Sequence, residues 1–139
     1  MRIPRSLLDQ VVAHALRDAP DECCGLLAVR DDIVVGVHEL ENVLQGPKVF
    51  GFELGGRSYP RAMLAIDDED AEAGVLYHSH TRSAPYPSQT DINFGRDPQR
   101  LPGVEWLIIG TKGAEPEVRS YLIAEDGEVT EVAVDVLDD

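Results

Sequence analysis

Two histidines one residue apart, His78 and His80, close the apolar run Gly74-Val75-Leu76-Tyr77. That run has strand character, and in a strand residues i and i+2 point to the same side. Both imidazoles can therefore face one point in space. A loop carrying Pro85 and Pro87 follows, then Ser88 and Asp91. Two neutral imidazoles and one carboxylate suit zinc, and three protein ligands leave a fourth position open for water. An open position marks a catalytic site, because the bound water can become a hydroxide nucleophile near neutral pH. Ser88-Gln-Thr-Asp91 also reads as a helix start, with Ser88 as the cap and Asp91 in the first turn facing the dipole. The two readings agree, since a cap would hold Asp91 near the end of the histidine strand. On its own, a His-x-His pair also describes a polar strand edge.

The rest of the composition narrows the class. A length of 139 residues suits one domain with a real core, over residues 1–139. No stretch approaches the ~20 apolar residues of a membrane span. The opening Met-Arg-Ile-Pro-Arg-Ser leads at once into an amphipathic pattern with Asp9, Gln10 and His14, which does not describe a signal peptide. A cytosolic protein is expected. The formal net charge is −14 and no basic patch is visible, which argues against nucleic acid as a partner. The acidic surface reads as a solvated face; adaptation to high salt, base-composition bias and a preference for basic partners all remain open. The only cysteines are the neighbours Cys23 and Cys24. Adjacent cysteines rarely pair, because the geometry is strained. Free thiols agree with a reducing compartment. In an alternating strand one of the two would face the core and the other away.

Periodicity predicts the elements. Apolar residues Leu7, Leu8, Val11, Val12, Ala15 and Leu16 form one stripe of a helix over 4–18 that ends at Pro20. His14, beside the stripe, reads as a packing or surface histidine. Residues 23–40 read as a hairpin turning at Arg30-Asp31-Asp32, and His38 as a satisfied strand residue. On local sequence, Glu22 reads as a solvent-exposed carboxylate at the strand mouth. Gly25 suggests a close backbone approach or a bulge. A third strand is expected over 49–54 and a helix over 58–72. The acidic second half of that helix opposes its dipole. Residues 104–110 form a central strand with Trp106 in the core. Residues 117–124 and 128–136 form a closing hairpin around Asp126-Gly127. This order predicts a mixed α/β (α+β) fold, with a mostly antiparallel sheet flanked by helices.

The run His78-x-His80-x7-Ser88-x2-Asp91 resembles the signature of the JAMM, or MPN+, zinc metalloproteases, the JAB-domain family. Glu22-Cys23-Cys24-Gly25 resembles that family's upstream Glu-x-x-Gly. The likeness covers nearly the whole chain, and its length is similar to the compact prokaryotic single-domain members. It implies a curved, cytidine deaminase-like sheet, with one zinc held by His78, His80 and Asp91. It also implies Glu22 as general base and Ser88 as donor to the oxyanion or the bound water. Thr81 stands where many members have Pro, and Leu76 where many have Trp; neither is a ligand. The implied substrate is the peptide or isopeptide bond after the C-terminal glycine tail of a ubiquitin-like or sulfur-carrier protein. The adduct cleaved is left open among a terminal amino acid, a precursor and a lysine conjugate. The tail is expected to dock near Asn42–Leu54 as an added strand. The oligomeric state is left open, a homodimer included.

Two other readings compete. Two histidines and a carboxylate also describe the facial triad of non-haem iron oxygenases, but no suitable histidine follows Asp91. A non-catalytic scaffold would hold no zinc, or hold it structurally with Cys23 or Cys24 as the fourth ligand.

Overall fold

The computed structural model describes residues 1–139. Its elements run β1 (Arg2–Pro4), α1 (Arg5–Asp18), β2 (Cys24–Arg30), β3 (Ile33–Leu40), α2 (Ser58–Asp68), β4 (Glu72–His80), α3 (Gln89–Gly95), β5 (Glu105–Gly110), β6 (Glu117–Ile123), β7 (Val129–Val132) and β8 (Asp135–Leu137). All eight strands join one sheet in the order β7-β6-β5-β4-β2-β3-β1-β8. Pairing is antiparallel for β2/β3, β2/β4, β5/β6 and β6/β7, and parallel for β4/β5, β1/β3 and β1/β8. The fold is thus the mixed, mostly antiparallel sheet expected. No helix is long and apolar enough to cross a membrane.

Strand alternation sorts the interior into two cores. Leu27, Val75, Tyr77, Leu107 and Ile109 pack with Leu8, Val11 and Ala15 of α1 on one face. Leu26, Leu76, Trp106 and Ile108 pack with Ala62 and Ile66 of α2 on the other. Both faces are covered, so the central strands read as nearly unbroken apolar runs. This corrects the expectation for the cysteines. Cys23 enters the first core and Cys24 the second, and both are buried.

Gly25 is the close approach its sequence suggested. An added Cβ would lie 2.2 Å from the Tyr77 ring, which folds over the Gly25 backbone. The Tyr77 hydroxyl is 2.7 Å from His14 Nδ1, so His14 is a buried packing partner. The 23–40 hairpin turns on two residues, Asp31 and Asp32, with φ of 52° and 63°. Such left-handed pairs match the twist of the flanking strands.

Three other expectations fail for physical reasons. Residues 49–54 form no strand, because the Asn42 side chain takes over their backbone groups. Its Nδ2 donates to the Gly51 carbonyl at 3.0 Å, and its Oδ1 accepts from the Glu53 N–H at 3.1 Å. The second helix ends at Asp68, and Asp70 adopts φ 53°, a left-handed stop that Asp tolerates. Asp67 and Asp68 still close the helix against its dipole, while Asp70 and Glu72 fall beyond its end. Finally, the last predicted strand breaks after Val132, and β8 crosses to the opposite edge to pair with β1. Two strands consecutive in sequence lie at opposite ends of the list, so the sheet curls until its edges approach. The Met1 carbonyl accepts from the Asp135 N–H at 2.8 Å within the β1/β8 pair. The short β1 gave no periodic signal.

Gly25→Ala should lower stability by about 1–3 kcal/mol, the usual cost of overpacking a core. Urea denaturation checks this: an unchanged midpoint would mean that Tyr77 yields freely.

Candidate metal centre

His78 and His80 occupy the last turn of the pleat in β4, on the side of the sheet that faces α3. Trp106 stands edge-on to His78, with ring centroids 5.7 Å apart, and the Phe52 ring lies 4.6 Å away on another side. Both histidines are buried, at 0% and 3% exposure. His80 Nδ1 lies 2.8 Å from the Ala84 carbonyl, so this nitrogen carries the proton and Nε2 presents its lone pair.

Asp91 arrives from α3. Ser88 caps that helix: its Oγ accepts the Asp91 N–H at 3.1 Å, and Asp91 Oδ2 accepts the Ser88 N–H at 2.9 Å. This reciprocal box fixes the carboxylate. The same Oδ2 lies 3.1 Å from His78 Nε2 and 3.2 Å from His80 Nε2, and the two Nε2 atoms are 3.0 Å apart. Burial alone would push the Asp91 carboxyl up. The facing imidazoles and the Ser88 amide outweigh burial and hold it well below the usual carboxylate range. Burial would likewise lower His80; the bonds to Asp91 and Ala84 outweigh it and raise it.

Glu22 reaches the site through register. Cys24 pairs with His78 across β2/β4, and two residues further along the same antiparallel pairing lie Glu22 and His80. Glu22 donates its N–H to the Lys48 carbonyl at 2.8 Å, and its own carbonyl accepts from Asn42 Nδ2 at 3.0 Å. The carboxylate is only 6% exposed, which corrects the expectation of an open strand-end residue. Its carboxylate oxygen and the ring nitrogens of His78 and His80 lie within 4.8 Å of one another. Burial, with Asp91 adding, pushes its carboxyl up to about 8 against the pull of His80. A dication held nearby would favour the ionised form.

The donor set fits a metal ion. Around a tetrahedral zinc with ligands at 2.0–2.1 Å, neighbouring ligand atoms are about 3.3–3.4 Å apart. The triangle of His78 Nε2, His80 Nε2 and Asp91 Oδ2 is within a few tenths of an ångström of that. It brings three electron-pair donors to one buried point, an arrangement that a cation between them satisfies. His78 Nδ1 is buried with no partner, an orphaned polar atom in an otherwise bonded cluster. No sulfur joins the group. Cys23 faces the α1 core, and Cys24 Sγ lies 3.8 Å from the Glu41 carbonyl.

A cleft of about 220 Å³ opens onto the cluster, lined by Glu22, His80, Ser88 and Asp91 together with the Val49–Phe52 strap, Arg82 and Phe94. The five residues picked from sequence thus meet in one place. Sequence did not point to Asn42, Phe52 or the Ala84 carbonyl. Their only signal was a side-chain amide and an aromatic within an irregular stretch.

A family model described as prokaryotic homologs of the JAB domain matches residues 4–124. The chain belongs to this family. The CysO-cysteine peptidase of Mycobacterium tuberculosis is 34% identical over 139 residues, covering 98% of this chain and 90% of the relative. The probable TtuB-protein conjugate cleaving protease of Thermus thermophilus is 35% identical over 132 residues, covering 95% and 82%. The solution structure of protein DSY2949 from Desulfitobacterium hafniense matches with a TM-score of 0.82 and 28% identity, over 99% of this chain and 93% of that one. A JAB1/MPN domain protein from Archaeoglobus fulgidus shares the fold, with a TM-score of 0.62 and 23% identity over 99% of each chain. This JAB-family chain is an enzyme, a metallopeptidase of the JAMM type.

Asp91→Ala should weaken metal affinity by more than the ~10–100-fold that loss of an outer hydrogen-bond partner costs. Competition with a chromogenic chelator measures this. Unchanged affinity would remove Asp91 from the ligand set. Cys23→Ser and Cys24→Ser should bind metal as the parent does.

Proposed function

We propose that the chain hydrolyses the peptide or isopeptide bond after the C-terminal glycine tail of a ubiquitin-like or sulfur-carrier protein, using one zinc ion held by His78, His80 and Asp91. The observation that carries this reading is the convergence of a three-donor triangle and a buried carboxylate, Glu22, at one end of one cleft. The relatives supply the substrate class by name: a CysO-cysteine peptidase, a TtuB-conjugate protease and, in Haloferax volcanii, a desampylase.

Zinc bound there supplies a Lewis acid that polarises the scissile carbonyl and acidifies the attacking water. Glu22 takes the proton from that water and hands it to the leaving amine. Its burial strengthens both transfers by excluding bulk water. Ser88 Oγ already accepts the Asp91 N–H, and its own proton has no acceptor within the chain. That O–H is free to donate to the oxygen that becomes negative in the transition state. In this reading the glycine tail runs extended along the 42–54 strap, whose residues Val49–Phe52 line the cleft opposite Arg82 and Ser83. The reaction adds one water across one C–N bond, giving a carboxylate on the glycine and a free amine on the other product. We place this activity in a single domain over 1–139 and in a reducing compartment, in keeping with two free, buried thiols.

The competing readings lose their support. Family membership weighs against the oxygenase, and the cluster of Glu22, His78 and His80 includes no cysteine, which weighs against the four-ligand structural zinc.

Glu22→Gln should retain its metal and lose turnover by about 10²–10⁴-fold, the usual contribution of a general base. Single-turnover cleavage of a carrier fusion, with metal content measured on the same sample, checks both halves. Cleavage near the parent rate would overturn the assignment.

A further inference from the structure

Arg82 is the one arginine or lysine lining the cleft, beside the carboxylates Glu22 and Asp91. It is exposed and follows His80 by two residues. Arg17, Arg100 and Arg119 are each engaged by a carboxylate. Arg82 has no such partner, which it shares with Arg2, Arg57 and Arg61, but it alone of these lines the cleft, in a chain with 26 acidic residues against 12 basic ones. Its Cζ lies 5.8 Å from the centroid of the Phe50 ring on the opposite wall, and Phe50 is itself 69% exposed. A guanidinium left unpaired on an acidic protein, at the mouth of the reaction cleft, is matched to an anion that comes with the substrate.

The chemistry of the leaving group says which anion. When the bond cleaved precedes a single C-terminal residue, that residue's carboxylate lies about 3 Å from the scissile nitrogen. It enters a cleft whose two carboxylates are balanced by the zinc dication, so a separate cation is needed to give its charge a partner of its own. The planar fork of arginine binds a carboxylate with two parallel bonds. A lysine isopeptide or an internal peptide bond brings no charge to that point. The small cleft also suits a short leaving group better than a folded one.

We propose that Arg82 reads the free α-carboxylate of a single amino acid attached after the glycine tail, which makes the enzyme a carboxypeptidase acting on carrier–amino acid adducts. This rests on the peptidase reading and selects one substrate among those it allows. Water adds to the glycine carbonyl, the C–N bond breaks, and the proton passes to the nitrogen of the departing amino acid. Arg82 holds that amino acid's carboxylate throughout.

The test uses the full-length, zinc-loaded protein and three forms of a β-grasp sulfur-carrier protein. One ends in Gly-Gly-Ala with a free carboxylate, one ends in the same sequence as a carboxamide, and one is joined through Gly-Gly to a lysine side chain. The parent should favour the carboxylate over the carboxamide by about 10–100-fold in kcat/KM, the range for a charge-assisted bond. In Arg82→Gln this ratio should fall to near one, and Arg82→Lys should restore part of it. Calorimetry on the Glu22→Gln protein should show the same preference in binding, without turnover. Equal cleavage of carboxylate and carboxamide by the parent, an equal loss on both in Arg82→Gln, or preference for the lysine conjugate would overturn the role of Arg82 and leave the peptidase standing. No cleavage of any form would overturn the peptidase reading, and this inference with it.

Discussion

The pairing of Cys24 with His78 across β2 and β4 is the constraint on which the site depends. Antiparallel register links positions whose numbers sum to a constant, so fixing this pair also brings Glu22 alongside His80. A one-residue slip would turn every side chain of a strand to the other face. Slipping β2 would turn Glu22 into the α1 core and part it from the histidines on β4. Slippage is blocked because both faces are packed: Tyr77 must cover Gly25 on one side while Leu76 and Trp106 fill the other. The chemistry thus borrows its precision from apolar packing several residues away.

The second constraint is local. Asp91 belongs both to the capping box of α3 and to the donor triangle, through the same Oδ2. The cap holds the carboxylate in place before any metal arrives, and Ser88 is placed at the cleft by the same motif. Asn42 plays a comparable part for the opposite wall, tying the Glu22 carbonyl to the strap at Gly51. Rigid strands carry the histidines, while irregular segments carry Phe50, Arg82 and the walls that a substrate would meet. This division suits loops, which vary at less cost to the fold than strands do.

Much of this was legible in the sequence because the decisive signals are short and periodic. His78 and His80 share a face by strand alternation, and Ser88 and Asp91 share a cap by helix spacing. Glu22 could not be placed that way, since its burial depends on a strand pairing across more than fifty residues, and only the resemblance to the JAMM proteins pointed to it. The false strand at 49–54 shows the converse. Its alternation was real, but Asn42 supplied the partners that a neighbouring strand would have supplied. The break after Val132 was hidden because an edge-to-edge crossing leaves no local mark.

An open site with three protein ligands and no sulfur has its own coordination shell. X-ray absorption at the zinc edge, on protein reconstituted with one equivalent of zinc, reads that shell. About four nitrogen and oxygen neighbours near 2.0–2.1 Å, two of them imidazole, are expected. A sulfur scatterer near 2.3 Å, or a single imidazole, would contradict such a site.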